Sequence, residues 1–399
     1  MAVRRDASRD DREALAGGSA RGLFSAMGIR GGERTILTHA IRTGIAFVRA
    51  RLGGVVVVLL AIVTGGALLV ALTPLGRYVA RAAWEEGRIL RGRRPIAVLV
   101  RDASTAPATR AKLQLVLDAR AFARDSLKLP AKDAFTQFTQ LKSDTLVLVL
   151  SGARKDWLEG KSWWFPVVGR VPYKGFFKVA DAERAERALA ADGYDTYLRP
   201  SPAFSTLGWF NDPLLSTSLG ADSVDLVNTV IHELTHNRYY AKDGAVFNES
   251  FANFVGARGS ERFFLARGDS ASAVRAVDRW ADDRLLAAYW ASLYTALDSA
   301  FRSVPGDSLR GRRLEIRDSV YRVARRVLVD SVGPRFRTIP AAYAARVRLD
   351  NAALMARRIY LTDLEMFERT YEAAGRDLEA AIRRLIAEHE AGVAAARPK

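Results

Sequence analysis

His232 and His236 stand four residues apart in Ile231-His232-Glu233-Leu234-Thr235-His236. On a helix both side chains project from one face, where they can share one Zn²⁺. Glu233 lies between them and is placed to take a proton from a metal-bound water as general base. The chain has only 4 histidines, and two of them fall here. A catalytic zinc takes three protein ligands and keeps one position for water. In one class of zinc peptidase a Gly shortly after the second His turns the chain and a further His supplies the third ligand. Tyr239 and Lys242 occupy those positions here, so that route is closed. Glu249 remains, in Phe247-Asn248-Glu249-Ser250-Phe251-Ala252. Asn253, one helical turn further on, is a candidate to hydrogen-bond the free nitrogen of a ligating histidine, with a plain helix-surface Asn as the alternative.

These residues need two helices and a tight link. From Ser223 to Tyr240 the apolar period is helical, which puts the histidines in a helix interior. Ala241-Lys242-Asp243-Gly244-Ala245 carries a turn signal, and a second helix is expected to start near Asn248 as N-cap. Beyond it the pattern predicts successive helices over 248–265, 269–303, 307–331, 351–373 and 375–394. Upstream it predicts helices over 106–129 and 181–191. Strands are expected at 144–150, 194–198 and 204–210, with a Gly/Pro-punctuated turn and strand over 165–177. An α+β domain with a small sheet and a helical C-terminal half follows.

Composition sets further bounds. With no cysteine, disulfides, thiolate metal ligands and a cysteine nucleophile are excluded. The net charge of +17 is spread along the chain rather than gathered in one stretch, which argues for a solvated surface over a nucleic-acid-binding face. Leu52 to Gly76 contains no charged residue. As a helix it would run about 37 Å, enough to cross a bilayer core with tilt. The expected organisation is therefore a basic N-terminal segment (1–51), a transmembrane anchor (52–76) and a catalytic domain (77–399).

The histidine pair followed by Asn248-Glu249 resembles the gluzincin metallopeptidases, whose third ligand is a Glu on a following helix. More narrowly, the chain is similar to a bacterial family named for zinc aminopeptidases. The blocks that carry the likeness are Phe204-Ser205-Thr206-Leu207-Gly208-Trp209-Phe210, Phe165-Pro166-Val167-Val168-Gly169, and Phe247-Asn248-Glu249-Ser250-Phe251-Ala252. The family often has cysteines flanking Phe-Pro-Val-x-Gly, where this chain has Trp164 and Arg170. The resemblance implies a gluzincin-like fold and an edge strand upstream of the zinc helix that binds substrate backbone, for which Ser205, Thr206, Leu207 and Gly208 are the candidates. It also implies export, hence a single-pass protein of the bacterial inner membrane with a periplasmic catalytic domain. The arginine count flanking the apolar segment slightly favours the opposite orientation.

Peptide hydrolysis also needs a donor for the developing oxyanion, commonly a tyrosine hydroxyl. Tyr173, Tyr239, Tyr240 and Tyr360 are all open to this role. Tyr173 gains from lying in a block shared with the family, and Tyr360 has the pattern of a core residue. The reading is a membrane-anchored zinc peptidase acting on peptides, with one zinc held by His232, His236 and Glu249 and with Glu233 as base. "Aminopeptidase" rests on the resemblance alone. The alternatives are a zinc endopeptidase and an anchored binding protein with an inactive zinc site.

Overall fold

A computed structural model describes residues 72–141, 147–165, 169–201, 213–242 and 244–396, together with 57–68 and a few positions before them. The chain divides into two compact units, 1–84 and 85–399. Residues 57–68 are helical and exposed, with Val57, Leu59, Ile62 and Val63 all facing outward. Among the described residues no helix is long and apolar enough to cross a membrane. The span expected over 52–76 takes in positions 52, 53, 56 and 69–71, which lie outside the described residues. Gly76, its expected end, falls within a helix that opens at Pro74.

In chain order the elements are α1 (Pro74–Arg91), β1 (Arg94–Pro95), α2 (Ile96–Arg101), α3 (Pro107–Asp125), β2 (Gln137–Thr139), β3 (Val147–Arg154), β4 (Trp163–Phe165), β5 (Gly169–Val171), β6 (Tyr173–Phe176), α4 (Val179–Ala191), β7 (Tyr194–Ser201) and β8 (Leu214–Leu215). Then come α5 (Ser223–Arg238), α6 (Ala245–Ala266), α7 (Ser270–Arg302), α8 (Arg310–Val327), α9 (Ala342–Arg346), α10 (Asn351–Arg358), α11 (Leu364–Ala373) and α12 (Leu378–Ala396). The protein is α+β and mostly helical, with small sheets ordered β1-β2-β8, β6-β3-β7 and β4-β5.

The β6-β3-β7 sheet is antiparallel, so alternate residues divide cleanly between its faces. Leu150, Phe176 and Leu198 turn toward α4, where Ala182 and Leu189 cover them. The opposite face carries Tyr173, Ser151 and Tyr197 in one cross-strand row, with Gly175, Val149 and Arg199 in the next. Here α10 docks: Asn351 donates from its backbone N–H to Asp195 (3.0 Å) and from Nδ2 to the Arg154 carbonyl (2.7 Å).

The main core is helical. Val227, Val230, Ile231 and Leu234 of α5 pack with Phe251, Phe254 and Val255 of α6, Trp280 of α7 and Phe367 of α11. α6 is buried nearly all round, as expected of a helix at the centre of a bundle. α5 starts where its sequence says it should. Asp222 caps it by accepting from the N–H groups of Val224 (2.9 Å) and Asp225 (3.1 Å). The Arg279 guanidinium, also bonded to Asp222, holds its carboxyl well below the usual range.

Two expectations are corrected. Asn248 is not an N-cap, since α6 begins three residues earlier. Its buried side chain accepts from the Ala241 N–H and donates to the Ala241 carbonyl, both at 2.8 Å, and so pins the turn between α5 and α6. The helix expected over 351–373 is broken in two. Asp363 sits in the left-handed region at φ 57°, and Ser250 of α6 bonds the intervening turn at the Ile359 carbonyl (3.2 Å) and the Thr362 N–H (3.1 Å).

Candidate metal centre

The histidines lie on the last two turns of α5, and Glu249 lies in the second turn of α6. What brings them together is a seam of small residues. Glu249, Ala252, Gly256 and Gly259 follow one face of α6. A Cβ built on Gly256 would fall 2.5 Å from Asn228 Oδ1, and one on Gly259 would fall 2.8 Å from Ile231 Cγ2. Only glycine lets the two helices approach this closely. The pinned Ala241 turn then reverses the chain so that the carboxylate meets both imidazoles.

The resulting distances are short. His232 Nε2 lies 3.4 Å from Glu249 Oε2, and His236 Nε2 lies 3.7 Å from Glu249 Oε1. One donor atom from each of the three residues falls within 4.8 Å of the others. The two rings meet edge to face at 5.1 Å. Burial, helped by the neighbouring His232, pushes His236 down to about 4, against a smaller opposing pull from Glu249. It is thus a neutral imidazole at neutral pH, the form that binds metals. For Glu249, burial raises the carboxyl, but the two histidines outweigh it and hold the group below its ordinary value. A neutral imidazole beside an ionised carboxylate is a donor set ready for a divalent cation.

Glu233 is exposed on α5, next to His232 in the chain and within electrostatic reach of Tyr360. Tyr173, in β6, is raised by burial and then by the Glu249 charge. Tyr360 is pushed up to about 12 by the same two causes in the same order. Both phenols therefore stay protonated and able to donate. The core reading of Tyr360 is corrected: it is 38% exposed, in the turn that α6 holds through Ser250. Tyr240 also adjoins the site, its ring 6.0 Å from that of His236.

Asn253 does not meet the histidine expectation. Its amide donates to the Tyr360 carbonyl at 3.5 Å and bonds Asp283 of α7, while His236 Nδ1 has no hydrogen-bond partner among the described residues. Asn253 thus positions the Tyr360 turn. Ser205, Thr206, Leu207 and Gly208 lie outside the described residues. His389, left unassigned from sequence, stacks on Phe247 at 3.7 Å, away from the triad atoms. Arg199 was missed altogether, because only the register of β7 on β3 shows that it shares a sheet face with Tyr173.

No curated protein and no solved structure matches the chain. A family model described as "putative aminopeptidase" matches residues 77–395. That range covers most of the chain and contains every side chain of the centre, and the chain belongs to this aminopeptidase family.

Proposed function

We propose that the protein is a zinc-dependent aminopeptidase whose single zinc is held by His232, His236 and Glu249. The observation that carries this reading is the convergence of those three donors. With metal–ligand bonds of about 2.0–2.2 Å, a tetrahedral site has ligand–ligand edges of about 3.4 Å. The His–Glu separations of 3.4 and 3.7 Å, one to each carboxylate oxygen, and donor atoms within 4.8 Å of one another leave room for a single ion between the three residues. Bound zinc would polarise the scissile carbonyl and lower the pKa of a water toward about 7. Glu233 accepts that water's proton and passes it to the leaving amine. Tyr173 and Tyr360, both protonated at neutral pH, donate to the oxyanion as it develops.

We also propose that the exposed apolar helix around residues 57–68 holds the chain at a membrane, with the catalytic unit on the periplasmic side. The support is the outward-facing valines, leucines and isoleucine there, which water does not favour. Carbonate extraction tests the attachment, and protease accessibility in spheroplasts tests the side.

The decisive experiment on function measures zinc content together with hydrolysis of a peptide library having free and blocked N-termini. One zinc per chain, with cleavage restricted to free N-termini, is the expected result. Cleavage of blocked peptides would make the protein an endopeptidase. Stoichiometric zinc with no cleavage would favour an anchored binding protein.

A further inference from the structure

Among the described residues Arg199 is a cation without a counter-ion. Its side chain has no hydrogen-bond or ion-pair partner among the described residues, although it is only partly exposed. A partly desolvated guanidinium normally finds a carboxylate, because its planar fork matches one in bidentate fashion. Other arginines of this unit do so: Arg317 bonds Asp195 at 2.5 Å, and Arg313 bonds Asp156 at 3.0 Å.

The position of Arg199 gives the exception a meaning. In the cross-strand register it sits opposite Val149, which in turn faces Gly175. It is the only charged residue in that row. The adjacent row holds Tyr173, Ser151 and Tyr197 on the same sheet face. α10 covers part of this face, with the Arg357 guanidinium donating to the Tyr197 hydroxyl at 3.5 Å. Tyr360 follows the end of α10 in the turn bonded to Ser250, next to Glu249. A path therefore runs from the metal ligands, past Tyr360 and Tyr173, to Arg199. Both tyrosines lie within electrostatic reach of Glu249 and of Arg199.

We propose that Arg199 receives the free α-carboxylate of a short peptide, on the leaving side of the bond that the centre cleaves. This rests on the peptidase reading and narrows its substrate class to di- and tripeptides. The guanidinium supplies the fixed positive charge that a C-terminal carboxylate pairs with. The scale suits it too. β6 and β7 are separated by two strand spacings, roughly 10 Å. An extended di- or tripeptide spans about 7–11 Å.

The test separates binding from catalysis. Full-length Glu233→Gln protein, loaded with zinc, is titrated calorimetrically with leucyl-glycine, leucyl-glycine amide and leucyl-glutamic α-amide, which keeps its side-chain carboxylate. Loss of a charge-assisted pair should weaken binding of the glycine amide about 10–100-fold relative to the free acid. Adding Arg199→Gln should erase that difference and leave amide affinity unchanged, while Arg199→Lys should restore part of it. Equal binding of acid and amide, a preference that survives Arg199→Gln, or no binding of either overturns the proposal. Tight binding of the glutamic α-amide also overturns it, because the recognised carboxylate would then be a side chain's. Wild-type hydrolysis is scored separately. Acid-selective binding without any cleavage would sink the peptidase reading and leave the Arg199 site standing.

Discussion

The two ends of α6 handle buried carboxylates in opposite ways. Near its C-terminal end Arg258 bonds Glu261 (2.7 Å) and Glu368 of α11 (3.0 Å from Nε), and Trp280 Nε1 of α7 donates to the same Glu368 carboxylate (2.8 Å). That cluster is closed: each negative charge meets a guanidinium from the same chain. Near the N-terminal end Glu249 faces two imidazoles and no arginine or lysine within ion-pair distance among the described residues. The chain balances charge where it needs only cohesion. Where the balance would come from a bound cation, it supplies imidazole nitrogens instead. Burial alone does not distinguish a structural carboxylate from a functional one, but the partner does.

Breaking each end should give opposite phenotypes. Glu368→Ala leaves Arg258 short of a partner in the core, and removal of one member of a buried pair costs about 3–5 kcal/mol. Chemical denaturation should show that loss, with zinc stoichiometry retained in whatever fraction stays folded. Glu249→Ala should do the reverse. Metal-free stability should change little, while tight zinc binding is lost because no fourth protein ligand stands nearby among the described residues. Stoichiometric zinc in Glu249→Ala would place the third ligand elsewhere.

The seam between the ends sharpens the contrast. Gly259→Leu forces side-chain volume against Ile231, where even a Cβ is already too close. Overpacking of this kind costs about 1–3 kcal/mol. It should also weaken zinc binding by moving α6 away from α5, and an unchanged zinc affinity would show that the seam does not set the site.

Much of this was legible in the sequence because it is local. The histidine spacing, the apolar period of α5 and the Asn248-Glu249 block each lie within one or two helical turns. The break at Asp363 was not legible, since a left-handed residue stops a helix without disturbing the apolar period on either side. Tyr360 was read as core for that reason. Arg199 depends on strand register, which is set by partners distant in the chain. Asn253 had two chemically reasonable directions, and its packing toward α7 decided between them.

A smaller effect concerns acid. His236 titrates at about 4 in the folded chain and at 6.5 as a free side chain, so below 6.5 the unfolded state binds the extra proton first. Metal-free protein should therefore lose stability as pH falls from 6.5 toward 4. Glu249, held below its ordinary value, adds a loss of the same sign at the acid end. Denaturation midpoints across this range should fall less steeply in His236→Gln, and an unchanged slope would remove His236 as the cause.

The central claim is that the centre binds one zinc and uses Glu233 as its base, so metal and catalysis should come apart at that residue. The most direct measurement is zinc content and peptide hydrolysis of Glu233→Gln beside wild type. One zinc in each, with the variant's rate down by about 10²–10⁴, is the predicted result. A zinc-loaded variant that hydrolyses peptides at the wild-type rate would contradict it.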